Sequence, residues 1–357
     1  MTEPAKTGWQ AKAPAPRASK TLGSEVGQTL SSANSSVAIV IPNWNGSAML
    51  QKLLGELPGQ SLPIDRVIVV DNGSSDDSVM VAERAGADVI QLGENTGFSR
   101  AVNLGIQSAR ADWIAILNND VSPSEDWLGN LVQQAEAANA WFAAGKLLDA
   151  SAGNRIEGAF DAICRGACAW RCGHGRPDSA LWNQPREIRF APFTAAIFRA
   201  ELFQRVGLLD EEFESYLEDI DFGIRCASAG YTGIYVPEAV AYHEGSATLG
   251  RWHPATVRKI ARNQLLLVAK HYPRKWVLRY GWPVFVAQIL WGFVALRHGA
   301  GFAYLEGKLD GMRRFHRSRG DSPANLTAIV ESSENEIWEI QRLTGFDLYW
   351  RLYFALT

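Results

Sequence analysis

The sequence predicts an α/β fold in which a mostly parallel central sheet is flanked by helices. Three observations predict it. Short apolar runs alternate with segments of helical spacing, polar turn residues gather just after those runs, and no internal repeat points to another architecture. At 357 residues the chain is long enough to bury one large α/β domain with appendages.

The first 36 residues are rich in Ala, Pro, Ser, Thr and Gly, contain no apolar stretch like a secretory signal, and read as a disordered tail (1–36). Val37 to Ile41 is the first strand, and Met49 to Leu57 carries helical spacing after it. Val67 to Val70 is the second strand, followed by a helix around Ser78 to Ala85. Asp88 to Leu92 and Trp113 to Leu117 are the third and fourth strands, with helices expected over Ser99 to Ala109 and from about Glu125 to Ala138. Pro192 to Phe198 reads as a buried strand, and a helix opening at Glu218 stops at Gly230. The α/β domain spans 37–272, and 273–357 reads as a helical C-terminal region.

Ligands of open parallel sheets collect at the carboxyl ends of strands. Here the first strand ends in Pro42, Asn43, Trp44 and Asn45, the second in Asp71, Asn72 and Gly73, and the fourth in Asn118, Asn119 and Asp120. Three polar ends on one rim make a binding site.

Several function classes are disfavoured. A formal charge of -3 gives no overall basic field, so nucleic acid is not an expected partner. The first turn, PNWNGS, lacks the G-x-G-x-x-G of dinucleotide enzymes, and no P-loop occurs. Cys164, Cys168 and Cys172 lie near His174 but match no paired C-x-x-C zinc spacing, so they read as reduced thiols.

Tyr280 to Leu296 carries no charge and is bounded by Arg279 and Arg297. It is short against the ~20 apolar residues of a usual membrane span, and Pro283 interrupts it. Basic residues outnumber Glu306 and Asp310 from Lys270 to Arg319, and Trp276, Trp282 and Trp291 suit an interfacial anchor. A helix lying in or partly entering an anionic membrane surface is expected. Ile337 to Phe354 reads either as a second amphipathic docking helix or as a helix packed on the protein.

The segments VAIVIPNWNG, VIVVDNGSSDDS, ENTGFSRAVNLGI, ILNNDV, VGLLDEEFESYLEDIDFGIRCASAGY, AYHEGSAT and RNQLLLV, in that order, resemble the family 2 inverting glycosyltransferases of GT-A fold. Within that family they resemble the bacterial rhamnosyltransferase-like branch. The likeness covers Val37 to Tyr272 and implies a nucleotide-sugar half (37–145) and an acceptor and catalytic half (146–272). It implies that Asp71 accepts the imide hydrogen of uracil or thymine, with Pro42, Asn45, Asn72 and Gly73 lining the nucleotide. Asn95, Gly97 and Asn103 match the loop beside the sugar and diphosphate. Asn119 and Asp120 belong to the NND form of a D-x-D-like motif, and Asp120 with His243 would hold Mg²⁺ or Mn²⁺ on the diphosphate.

The same likeness carries the catalytic base onto Asp219, with Glu218 and Asp221 on the acceptor side. Acids at a helix start are also explained simply by the helix dipole, typically ~0.3–1 kcal/mol each, and Arg225 is spaced to pair with Asp221. The implied activity is transfer of L-rhamnose from dTDP-rhamnose to a lipid-linked saccharide or growing polysaccharide. The implied place is the cytoplasmic face of a bacterial inner membrane, as a peripheral or monotopic protein. Two alternatives stay open: a UDP-sugar-dependent transferase of the same fold, and an inactive nucleotide-binding membrane scaffold. The insertion Asp149 to Arg189 is expected to close over the acceptor side.

Overall fold

The computed structural model describes residues 35–245 and 252–357. The tail expected over 1–36 lies outside the described residues except for Ser35 and Ser36, as does the end of the AYHEGSAT segment. The first half alternates β1 (Val37–Asn43), α1 (Ser47–Glu56), β2 (Arg66–Asp71), α2 (Ser78–Arg84), β3 (Asp88–Gln91), α3 (Phe98–Ser108) and β4 (Trp113–Leu117). β5 (Val121–Pro123) and α4 (Trp127–Ala137) complete it. Each predicted element of this half is present, with ends shifted by at most a few residues. β1 and β4 are apolar almost throughout and buried on both faces, which is why they sit at the centre of the sheet.

The second half runs β6 (Phe142–Asp149), β7 (Ile156–Gly158), β8 (Asp161–Ile163), β9 (Ala169–Arg171), β10 (Arg186–Ile188) and β11 (Ala195–Arg199). It continues through α5 (Ala200–Val206), α6 (Glu218–Ser228) and β12 (Gly233–His243). The strand order is β10-β12-β6-β11-β4-β1-β2-β3, with β5 on β12 and β7 on β6. The parallel arrangement holds across β4-β1-β2-β3 and between β6 and β12. β11 instead runs antiparallel to both β4 and β6. The insertion leaves β6 at its carboxyl end and returns there, so the next strand must start from the rim and run backwards. β12 runs the other way and delivers His243 to that rim.

Two apolar clusters cover the opposite faces of this sheet. A third packs α6 against the C-terminal helices α7 (Pro254–His271), α8 (Trp276–Arg297) and α10 (Leu326–Thr344). α9 (Gly301–Phe315) lies against α7. The terminal stretch read as one helix is two, α10 and α11 (Leu348–Leu356), because Gly345 takes a left-handed φ of 90° between them. Trp350 and Tyr353 are buried there, so this stretch packs on the protein. Cys164, Cys168 and Cys172 are free and fully buried, and burial pushes the Cys164 and Cys172 thiols far up. Among the described residues, no group of three or more His, Cys, Asp or Glu side chains could hold a metal.

Candidate active site

The polar ends of β1, β2 and β4 are cross-linked into one rim. Buried Asn43 donates to Asp71 Oδ1 and to Ser74 Oγ at 3.4 Å each, while its Oδ1 accepts from Asn119 Nδ2 at 2.6 Å. Asp71 Oδ2 also accepts from the Ser74 amide at 3.0 Å, closing the turn after β2. A carboxylate offers about four acceptor sites, so two such bonds leave Asp71 able to take an imide hydrogen. Asn45 caps the neighbouring turn, accepting from the Ser75 amide at 2.8 Å, and Pro42 precedes Asn43 at the end of β1.

Asn72 pins the loop before α3. Its Oδ1 accepts from the Thr96 amide at 2.8 Å, and its Nδ2 donates to Gly97 O at 3.1 Å and Asn95 Oδ1 at 3.3 Å. Gly73 (φ 77°) and Gly97 (φ 93°) take left-handed backbone that favours glycine. A Cβ on Gly97 would also stand 2.9 Å from Glu214 O, because this loop presses on the segment leading into α6. Ser99 N donates to the same carbonyl at 2.9 Å.

On the other side of β4, antiparallel pairing of β5 with β12 sets His243 opposite Val121. That register puts His243 Nε2 3.2 Å from Asp120 Oδ1, while its Nδ1 lies 3.4 Å from Glu157 Oε2. Burial opposes protonation of His243, but the carboxylates of Asp120 and Glu157 outweigh it and lift the imidazole to about 9. Burial alone would raise Glu157, yet Arg171 and then His243 hold it at about 2. Two residues before Asp120, Asn118 Oδ1 is buried without a hydrogen-bond partner. A carboxylate, an imidazole and an unpartnered amide oxygen suit a divalent cation whose remaining ligands are phosphate and water.

The contacts continue toward α6. Arg171 Nη1 lies 3.5 Å from Glu157 and 3.2 Å from Thr194 Oγ1, and its Nε reaches Asp161 Oδ1 at 3.3 Å. Burial raises the Asp161 carboxyl to about 7 against the opposing charge of Arg171, and the charge of Asp219 on α6, the helix packed on β8, adds to the rise. Asp219 is half-buried, and its Oδ1 accepts from the Ile220 amide at 2.8 Å. Beside it Glu218 is buried with Oε2 unpartnered, and burial and then the charge of Asp219 push its carboxyl far up. A series of side-chain contacts therefore runs from Asp120 through His243, Glu157 and Arg171 to Asp161, on the strand that packs against the helix carrying Asp219.

Two residues expected on ligand faces are engaged elsewhere. Asn103 clamps Leu209 through both its N–H and C=O, at 2.9 Å each, and donates to Glu211, so its amide holds a turn rather than facing a donor. Asp221 is buried against Arg225 (2.9 Å) and His271 (2.7 Å) and lines a separate depression with Lys270 and Arg319. The Arg225 pairing follows the helical spacing. Asn43, Glu157, Asp161 and Arg171 were not singled out by sequence. Asn43 was readable as part of a polar strand end, whereas the other three sit in an insertion whose pairing has no local signature.

Residues 38–207 match the family described as Glycosyl transferase family 2. The N-acetylglucosaminyl-diphospho-decaprenol L-rhamnosyltransferase of Mycobacterium tuberculosis is 26% identical over 277 residues, covering 68% of this chain and 88% of that protein. The pre-mycofactocin glycosyltransferase of the same species is 27% identical over 225 residues, 60% of this chain and 44% of that protein. Among solved structures, GalNAc-T7 with UDP, GalNAc and Mn²⁺ superposes at a TM-score of 0.59 and 14% identity, over 87% of this chain and 58% of that one. S. aureus TarS does so at 0.50 and 16%, over 90% and 55%. At such low identity these two likenesses establish shared fold alone. With the ordered motifs and the rim they build, the sequence matches place residues 38–207 in glycosyltransferase family 2, and the chain is similar to a member of its rhamnosyltransferase-like branch.

Proposed function

We propose that the protein is an inverting, metal-dependent transferase that moves L-rhamnose from dTDP-rhamnose to a lipid-linked saccharide at the cytoplasmic face of a bacterial inner membrane. The observation that carries this reading is the series of contacts from Asp120 through His243, Glu157 and Arg171 to Asp161, on the strand packed against the helix that carries Asp219. It supports a reading in which a cation-binding pair and a carboxylate base serve one site. Asp71 would take the imide hydrogen of the base, which serves thymine and uracil alike. Asp120 and His243, with the Asn118 oxygen nearby, would hold Mg²⁺ or Mn²⁺. When bound, such an ion supplies charge stabilisation for the departing diphosphate. Asp219 accepts the proton of the acceptor hydroxyl as that oxygen attacks the anomeric carbon, and a single displacement from the far face inverts it. Glu218, whose Oε2 is buried without a partner, would receive an acceptor hydroxyl.

The mycobacterial relative bears the name of an L-rhamnosyltransferase for a diphospho-decaprenol-linked sugar, which supports both donor and acceptor class. The membrane reading is supported by α8, a 22-residue helix long and apolar enough to cross a membrane. Leu278, Trp282, Phe285, Ile289, Phe293 and Leu296 form one exposed stripe along it, and Phe302, Leu305, Leu309 and Met312 form another on α9. Arg274, Lys275, Arg279, Arg297 and Arg313 flank these stripes with positive charge.

The test is a screen of purified protein against dTDP- and UDP-sugars with Mg²⁺ or Mn²⁺ and a polyprenyl-diphosphate-linked saccharide, with product anomer read by NMR. Turnover of dTDP-rhamnose with inversion is expected. Turnover of UDP-sugars alone would replace the donor, and no turnover with any donor would favour the scaffold.

A further inference from the structure

The insertion supports the cation pair from behind with two side chains that the transfer step leaves unused. β7 pairs antiparallel with β6, Gly158 opposite Leu147 and Ile156 opposite Leu148, so Glu157 falls between them as the extra residue of a bulge. Bulges re-aim a side chain and are common beside active sites. His174 donates from Nδ1 to the Glu157 carbonyl at 2.9 Å and fixes the backbone there. The Glu157 carboxylate is carried to the imidazole of His243, with Oε2 3.4 Å from Nδ1, on the side away from Asp120.

Arg171 ties this carboxylate to the turn after β4. Its Nη1 lies 3.5 Å from both Glu157 oxygens and 3.2 Å from Thr194 Oγ1. The Thr194 carbonyl in turn accepts from the Asn118 amide at 2.9 Å. One guanidinium therefore braces the histidine side of the pair and the Asn118 to Asp120 turn together. Its stem lies so close over Gly158 that any side chain there would collide with it, and Asp161 takes its Nε at 3.3 Å.

An imidazole that gives Nε2 to a cation keeps its one ring hydrogen on Nδ1, and metal-binding histidines almost always donate that hydrogen to a carboxylate, carbonyl or water. Nδ1 of His243 is buried and makes no hydrogen bond among the described residues, so the acceptor beside it is Glu157. We propose that Glu157 and Arg171 are positioning residues of the cation site. Glu157 takes the Nδ1 hydrogen of His243 and keeps Nε2 toward Asp120, while Arg171 holds Glu157 and, through Thr194, the Asn118 turn. The proposal rests on the reading that Asp120 and His243 hold the cation.

The experiment compares wild type, E157A, E157Q, R171K and H243A in the full-length protein. Mn²⁺ is titrated at saturating dTDP, with free Mn²⁺ read by electron paramagnetic resonance. The dTDP affinity in chelator and the metal-free thermal midpoint are measured alongside. E157A is expected to weaken Mn²⁺ binding about 10–100-fold, as loss of such an outer partner does, with the chelator value of dTDP affinity unchanged. E157Q is expected to recover most of that loss, because its amide oxygen still accepts the Nδ1 hydrogen. R171K is expected to weaken Mn²⁺ binding while keeping dTDP affinity, since an ammonium cannot replace the planar fork that holds Glu157, Thr194 and Asp161. Weakened H243A together with E157A at wild-type Mn²⁺ affinity overturns this proposal alone, and so does E157Q no better than E157A. Should E157A fail to fold, R171K decides: weakened Mn²⁺ binding supports the proposal and wild-type affinity overturns it. Wild type that binds no Mn²⁺, or H243A with wild-type Mn²⁺ affinity, overturns the cation reading and the positioning role with it.

Discussion

Replacing Asn263 with alanine should release the segment that delivers Asp219. Three non-glycine residues there, Glu214, Tyr216 and Leu217, hold positive φ of 60°, 71° and 68° immediately before α6. Such conformations cost on the order of 1–3 kcal/mol each and persist only where their surroundings impose them. Asn263 imposes them. Fully buried on α7, it donates to the carbonyls of Phe213 (2.9 Å), Ser215 (2.9 Å) and Tyr216 (2.7 Å), and its own Oδ1 accepts from Arg262 Nε at 2.9 Å. Alanine removes two N–H donors, about 1 kcal/mol each, and deprives a buried guanidinium N–H of its acceptor, about 1.5–3 kcal/mol. The expected loss is roughly 3–5 kcal/mol, a large share of the 5–15 kcal/mol typical of a domain. Urea unfolding should show it as a lower midpoint at constant slope. Because the Asp71 rim is held by separate bonds, nucleotide affinity should persist while kcat falls on the order of 100-fold. An N263A protein with wild-type urea midpoint and kcat would refute the argument that this amide holds the loop under strain.

Four further outcomes are expected. D219N should abolish transfer while dTDP affinity measured by calorimetry is retained. D120A should remove the Mn²⁺ dependence of nucleotide binding, so equal affinity with and without Mn²⁺ in wild type would contradict the assigned role. F285D with F293D, both exposed, should leave the thermal midpoint nearly unchanged yet lower sedimentation with anionic vesicles at least about tenfold, since each buried Phe contributes ~1.5–3 kcal/mol. Burial would raise Asp221, but its hydrogen bond from His271 and the Arg225 charge outweigh this and hold it below the usual carboxylate range. Its contribution to stability is therefore complete above pH ~4 and is lost as acid protonates it. D221N should flatten the acid limb of stability.

The legible parts of this molecule were those governed by local physics. The apolar runs of β1 to β4 and the helical spacing between them follow from side-chain periodicity, so their positions could be read within a few residues. The polar turns after β1, β2 and β4 were equally plain, and so was the helix opened by Glu218 and closed at Gly230. Asn103 and Asp221 show the limit of that reading. Each lies in a motif of the right composition, but tertiary packing aims Asn103 at Leu209 and Asp221 at His271.

By itself, then, the sequence determined the first-half elements, the polar rim and the acidic start of α6, because periodicity, turn chemistry and capping act over a few residues. Only the tertiary structure decided that His243 meets Asp120, that β11 reverses the sheet, and that Arg171 joins Glu157 to Asp161 within the insertion. Those outcomes depend on strand register and on which lone pairs and guanidinium hydrogens are already taken. Both are settled by residues far apart along the chain, where composition and spacing carry no signal.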